Sequence, residues 1–253
     1  MHYLKTPLVL ALVLVCSLIG QAWGQSFHSV LSELDQNYYY PQTQGLKSFS
    51  AKVQWEQLDV ASGSGKFLRH PDFIFSWQED SGKGFGNFSL AERQEEDRFL
   101  ELIPQINSFR ELIIPLTLGQ KFSEFEGRVN QVKGDKLMLR LNPIRDASQN
   151  YKILVDSKKG VIRKVRFLQS RSPQNVEGEM SYLRLDGKFA ISETRSHFKI
   201  NEQDYTEVTL FKYKKVKGIW WVHRIDQTLK QEGSVLQTHI IKLSDFRPIR
   251  SAN

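Results

Sequence analysis

Six histidines, one cysteine and two glycine-rich turns are where this sequence could do chemistry, since metal sites, nucleophiles and phosphate cradles are built from such residues. His2, His28, His70, His197, His223 and His239 stand singly. None occurs at the His-Glu-Xaa-Xaa-His or His-Xaa-His spacing that aims two imidazoles at one metal. His223 and His239 fall on strands expected to pair through the turn at Gln231 to Ser234, so a cross-strand site is the one metal alternative to ordinary strand histidines. Gly63-Ser64-Gly65 lacks the helix context of a nucleophile elbow. Gly82-Lys83-Gly84-Phe85-Gly86 is followed by no Lys-Ser/Thr pair opening a helix, so it is no phosphate loop. No catalytic residue, metal ligand or cofactor is assigned, and a non-enzyme is expected.

What the sequence holds in excess is apolar surface on strands. From Phe49, the residues Ala51, Val53 and Trp55 alternate with Ser50, Lys52 and Gln54, the period of a half-buried strand. A second strand follows Gly63 and Gly65, is interrupted by Pro71, and ends with Phe73, Phe75 and Trp77 on one side and Ile74 on the other. Proline cannot donate to a ladder, so it marks a sheet edge or a bulge. From Leu90 to Leu116 the spacing changes to threes and fours. Phe99, Leu102, Ile103 and Ile106 form an apolar helical stripe, and Pro104 is expected to kink or divide a helix pair there. Such a stripe reads either as core covering the sheet or as a lid over a cavity.

The elements that must position these residues are mostly strands. Phe27 to Asn37 reads as an amphipathic helix with Phe27, Val30, Leu31 and Leu34 on one face, stopped by Tyr38-Tyr39-Tyr40-Pro41. From about Phe125 onward strands follow one another: 136 to 141, ended by Pro143, then 151 to 156 and 161 to 167 around Ser157-Lys158-Lys159-Gly160. A meander follows over 180 to 185, 189 to 200, 205 to 213, 219 to 229 and 235 to 246. With no internal repeat or linker, residues 25–253 are read as one domain; the weakest point is Arg171 to Glu177.

Three stretches carry a resemblance. Ser48-Phe49 followed by Arg69-His70-Pro71-Asp72-Phe73-Ile74 resembles the opening hairpin of the LolA-type periplasmic lipoprotein carriers. The Leu-Xaa-Leu-Xaa-Pro strand ending at Pro143, with the Ile153-Leu154-Val155-Asp156 hairpin to Val161-Ile162, is similar to the middle of that sheet. Tyr213 to Val222 and Ile240 to Phe246 resemble later strands of the wider outer-membrane-lipoprotein-sorting family. The resemblance implies an α+β fold that is mainly β, a curved antiparallel sheet forming an open half-barrel with helices on its concave face. In the family the residue before the motif proline is typically an arginine that helps hold a closed lid. Here it is His70, with Arg69 one residue earlier, and the family's aromatic three residues after that proline is Ile74.

Residues 1–24 have the form of a cleavable secretory signal, with Lys5, an apolar core from Leu8 to Ile19, and Ala22-Trp23-Gly24. An anchor that is never cleaved is the competing reading. Cys16 sits within that core after Val15, without the small residue that precedes a lipid-modified cysteine. Removing Lys5 leaves 34 basic against 28 acidic residues, a net charge of +6. Acids and bases are interleaved, so they read as solvated strand faces, and no nucleic-acid binding is expected.

The expected function is therefore that of a periplasmic, monomeric carrier shielding acyl chains of a lipoprotein or related amphiphile on the way to the outer membrane, with inner- or outer-membrane transport components as partners. The expected cavity lies between Trp55, Phe73, Ile74, Phe75 and Trp77 on the sheet and Phe99, Leu102, Ile103 and Ile106 on the helices. The alternatives are an interaction module of the same fold that binds a membrane protein's periplasmic segment, as RseB-type sensors do, and a structural protein whose aromatics are only core.

Overall fold

The computed structural model describes residues 26–60, 62–79, 84, 86–91, 101–145 and 148–251. The expected signal segment, Phe99 and most of the glycine-rich turn after Trp77 lie outside the described residues. No helix among the described residues is long and apolar enough to cross a membrane.

Helix α1, Phe27–Asn37, occupies the expected span. Ser26 caps it by accepting from the Ser29 amide, and Phe27, Val30, Leu31 and Leu34 are its buried stripe. Strand β1 follows at Leu46–Leu58, with β2 at Phe67–Arg69, β3 at Phe73–Gln78 and β4 at Asn87–Leu90. Pro71 separates β2 from β3, and β2 pairs only with β1. Then come three short helices, α2 Leu102–Ile106, α3 Arg110–Ile113 and α4 Leu118–Lys121, with a 3-10 turn at 107–109 between the first two. Leu90, where the helical spacing is expected to start, belongs to β4, and the first described helix of this stretch begins at Leu102. Pro104 sits inside α2, and the irregular turn falls three residues after it.

From residue 125 the chain is strand after strand: β5 Phe125–Gln131, β6 Lys136–Pro143, β7 Gln149–Asp156, β8 Val161–Gln169, β9 Asn175–Leu185, β10 Lys188–Ile200, β11 Gln203–Val216, β12 Ile219–Gln231 and β13 Ser234–Arg250. The last four connections are two-residue turns, Asp186-Gly187, Asn201-Glu202, Lys217-Gly218 and Glu232-Gly233. All eight of these residues have positive φ, the type I′ geometry whose twist matches that of paired strands. All ladders are antiparallel. The sheet order is β4-β3-β1-β13-β12-β11-β10-β9-β8-β7-β6-β5, with β2 beside β1, so the sheet is open between β4 and β5. This is the mainly β, helix-bearing open sheet that the sequence leads one to expect.

The helices lie on one face, here called inner, and two clusters fill it. In the first, Phe49, Ala51, Val53, Trp55, Phe73, Phe75 and Trp77 pack with Trp221, Ile225 and Ile241 beneath Ile106, Phe109 and Ile113. The Phe49 and Trp221 rings stack at 4.0 Å. In the second, α1 lies on Leu139, Leu141, Ile153 and Val155. Gly127 on β5 lets α1 approach: a Cβ there would stand 2.8 Å from the Phe27 ring and 2.5 Å from Leu141. Gly127→Ala should therefore cost about 1–3 kcal/mol. Gly178→Ala, whose methyl would meet nothing nearer than 3.7 Å, should stay within about 0.5 kcal/mol of the parent. Urea denaturation of both variants checks the contrast.

His70 and His239 sit at the polar border of the first cluster. The Trp55 indole N–H donates to His239 Nδ1 at 3.1 Å, which requires a neutral imidazole, and His70 stacks on Trp55 at 4.0 Å. Burial lowers the pKa of both histidines. Between those lowered values and about 6.5 the unfolded chain binds protons that the folded chain refuses, so stability falls as pH drops. The urea midpoint should decrease from pH 7 to pH 5, and His239→Gln should flatten that decrease.

Candidate functional site

The described members of the expected acyl-chain face form one packed cluster. Trp55, Phe73, Phe75, Trp77 and Ile106 are each 6% exposed or less and pack against one another, with Leu102 and Ile103 half-buried at their margin. Strand alternation and helical spacing align two faces equally well whether these close on each other or on a ligand, and the described residues of the two faces pack on each other. Ile74 is half-buried on the opposite side of β3, where Lys52 is its cross-strand neighbour. Arg69 is exposed and, with Lys52, holds the Asp72 carboxylate, whose pKa is lowered by Lys52 first and by Arg69. His70 Nε2 lies 3.1 Å from the Gln57 side-chain oxygen. His223 and His239 do not come together, since His239 is opposite Gln227 and His223 lies beyond the β12–β13 ladder.

The cavity lies one cluster away, and three consecutive tyrosines frame it. After α1 the chain becomes extended at Tyr38, so side chains alternate: Tyr38 and Tyr40 enter the second cluster, and Tyr39 enters a small third one with Leu185 and Ala190. The Tyr39 amide donates to the Phe189 carbonyl at 2.8 Å, laying this strap across the start of β10.

Each hydroxyl then finds backbone or a carboxylate. The β8–β9 ladder ends at the Lys164 and Glu179 pair, so Ile162, two residues further along β8, has no β9 partner for its peptide groups. Its N–H donates to the Tyr38 hydroxyl at 2.7 Å, and its carbonyl accepts from the Tyr182 hydroxyl at 2.7 Å. With the two hydroxyls 3.2 Å apart, Tyr38 donates to Tyr182 and the ring of bonds closes. Tyr39 accepts from the Trp220 amide at 2.8 Å. Tyr40 donates to Asp35 at 2.6 Å, and the same carboxylate accepts the first two amides of α4, from Leu118 and Gly119, at 2.8 and 2.9 Å. Burial raises the pKa of Tyr38, Tyr39, Tyr40 and Tyr182, so all stay neutral and available as donors.

Under the strap and under the 112–118 segment is a cavity of about 470 Å³. Its sheet wall is Ile153, Ile162, Val165, Phe167, Met180, Phe189, Ile191, Phe211 and Val222, and its cover is Leu112, Ile113, Pro115, Leu116 and Leu118. Glu111 and Lys121, an ion pair at 2.8 Å, are the charged groups among the described lining residues. Both are about 40% exposed, so the pair adds little stability and stands at the mouth. Such a wall offers no nucleophile beside a base and suits an unbranched hydrocarbon. Of the lining residues, Leu112, Ile113 and Leu116 belong to the helical stretch expected to be core or a lid over a cavity, whereas the tyrosines and the sheet wall were read from sequence only as a helix stop and as ordinary strands. The available signal was Tyr38-Tyr39-Tyr40, since a tyrosine run with apolar bodies and polar tips suits a lined, hydrogen-bonded wall.

No family model matches the chain, and a search of curated proteins finds no match. Solved structures that it resembles include an outer membrane lipoprotein-sorting protein domain from Vibrio parahaemolyticus, at 10% identity over 89% of this chain and 93% of that one, with a TM-score of 0.40. A LolA superfamily protein from Nitrosomonas europaea matches at 10% identity over 90% and 95% of the two chains, TM-score 0.33. A DUF1329 family protein from Desulfovibrio piger matches at 12% identity over 89% and 93%, TM-score 0.37.

Tyr38→Phe would keep the ring that stacks on Tyr182 but strand the Ile162 amide. It should destabilise the protein by roughly 1–3 kcal/mol in urea titrations.

Proposed function

We propose that the protein is an exported, non-enzymatic carrier that holds the acyl chain of a lipoprotein or related amphiphile in this cavity while the amphiphile crosses the periplasm toward the outer membrane. It acts as a monomer that receives its cargo from, and delivers it to, membrane transport components. The observation that supports this reading is the apolar cavity itself. At about 30 Å³ per methylene-sized group, 470 Å³ holds roughly fifteen heavy atoms, one acyl chain and not several. Burying that many methylenes gains about 12 kcal/mol before the costs of association, enough for useful affinity without a charged contact. An exposed ion pair, Glu111 with Lys121, stands at the mouth and separates at small cost. Carriage needs that reversibility.

A second reading, an interaction module for an extended protein segment, is favoured by one feature. Strand β2 has a single neighbour, and its Phe67 and Leu68 are 42% and 53% exposed, an apolar edge that another strand could join.

Two tryptophan substitutions test the carrier. Val165→Trp should fill the cavity, abolish binding of a fluorescent fatty acid and leave thermal stability within about 1 kcal/mol of the parent. Ile106→Trp, placed where the side chain is already 0% exposed, should destabilise the protein by roughly 1–3 kcal/mol without a specific loss of affinity in the fraction that stays folded. Mass spectrometry of the purified protein should find a co-purifying single-chain amphiphile; a parent protein that binds no chain would end the carrier reading.

A further inference from the structure

An amphiphile has a head as well as a chain. On the premise that the cavity takes the chain, the adjoining inner face of the sheet offers the head a place. Thr194 on β10 lines the cavity, and Ser196 is the next residue on the same face. Ser196 is opposite Glu207 on β11 and opposite Gly178 on β9, and Gly178 is opposite Val165, again a cavity residue. A row therefore leads from the cavity wall at Val165 across Gly178 and Ser196 to Glu207. Over Gly178 the row is open, for a Cβ there would meet only Ser196 Oγ at 3.7 Å and the Val165 carbonyl at 3.8 Å.

Glu207 is an unusual occupant of that row. The acids of neighbouring strands are paired on the other face: Glu177 and Glu179 with Lys164, Glu193 with Arg195, and Asp226 with Arg224. Among the described residues nothing hydrogen-bonds or ion-pairs with Glu207, and burial alone raises its pKa. Its same-face neighbours, Tyr205, Thr209, Ser196 and Leu229, carry no charge. Two strands beyond Glu207 along the row, past Leu229, is Gln237, whose side-chain N–H group is buried without a partner. A largely buried carboxylate without a cation, and a buried donor without an acceptor, are each costly alone. A head that ends in an ammonium reaches Glu207 first along the row from the cavity and satisfies it.

We propose that Glu207 binds the terminal ammonium group of an amphiphile, of the phosphoethanolamine class, whose chain occupies the cavity. The test compares two probes that share a lauroyl chain and a phosphate and differ in the ammonium, lauroyl lysophosphatidylethanolamine and lauroyl lysophosphatidylglycerol, each titrated below its micellar concentration. The parent should bind the ethanolamine lipid about tenfold more tightly, the value of one charge-assisted contact. Glu207→Gln should bring the ratio near one while its melting temperature holds or rises, since it removes an unpaired buried charge. Gly178→Val should reduce the same preference by closing the row. Equal affinities in the parent, or a preference that survives in Glu207→Gln, would overturn the head site while leaving the chain cavity standing. Binding of neither lipid would remove the cavity reading and the head site with it.

Discussion

The peptide unit at Ile162 is the point on which the rest of the inner face turns. Strands β8 and β9 pair only as far as Lys164 and Glu179, and beyond that pair an amide and a carbonyl would be buried without partners. Tyr38 and Tyr182 supply both partners through aromatic bodies that are themselves apolar wall. The sheet can therefore part at this end without a penalty for broken ladder bonds, and the parting leaves room. Because Tyr38 and Tyr39 are adjacent in an extended stretch, one strap fastens β8 through Ile162 and β12 through Trp220. Those strands are four inter-strand steps apart, about 19 Å of sheet. Asp35 joins α1, Tyr40 and α4 into the same frame.

The two halves of the inner face illustrate opposite solutions to one problem. Over β1, β3, β12 and β13 the aromatics are large and face each other, Phe49 on Trp221 and Phe75 on Phe88, and the α2–α3 segment needs only Ile106, Phe109 and Ile113 to seal them. Over β8 to β11 the cover is a strap and short turns, and the sheet below carries Met180, Thr194 and a bare Gly178 where a matching core would need bulk. A cavity follows from that shortage of side-chain volume, with no need for any particular ligand-binding motif.

Much of this was legible from spacing. The span of α1, the alternation of β1, and the succession of strands after residue 125 follow from period and turn residues, because each is decided by neighbours in sequence. Strand β4 was not legible: its four residues flank a glycine-rich turn and adjoin a helical stripe, so no period of its own survives. The cavity under the strap was not legible for a related reason. Trp55, Phe73, Phe75 and Trp77 announce a large apolar face, but closure depends on what packs against it, and Trp221 and Ile241 come from strands far along the chain. Conversely, the tyrosine strap reads locally as a helix stop, and its role appears only when residues more than a hundred positions away arrive at its hydroxyls.

The pairing of β1 with β13 sets an order on the making of this sheet. The strands from β5 to β13 are successive hairpins that can form as they emerge, each closing a short loop. Strand β1 waits for a partner almost two hundred residues later. Until residues 234–250 exist, Phe49 and Trp55 have no Leu243 or Ile241 beside them, and the hairpin of β3 and β4 hangs on a strand with one bare side. During synthesis the chain therefore exposes its most aromatic surface longest. The earliest strand of the described sheet is thus among the last to gain both of its neighbours.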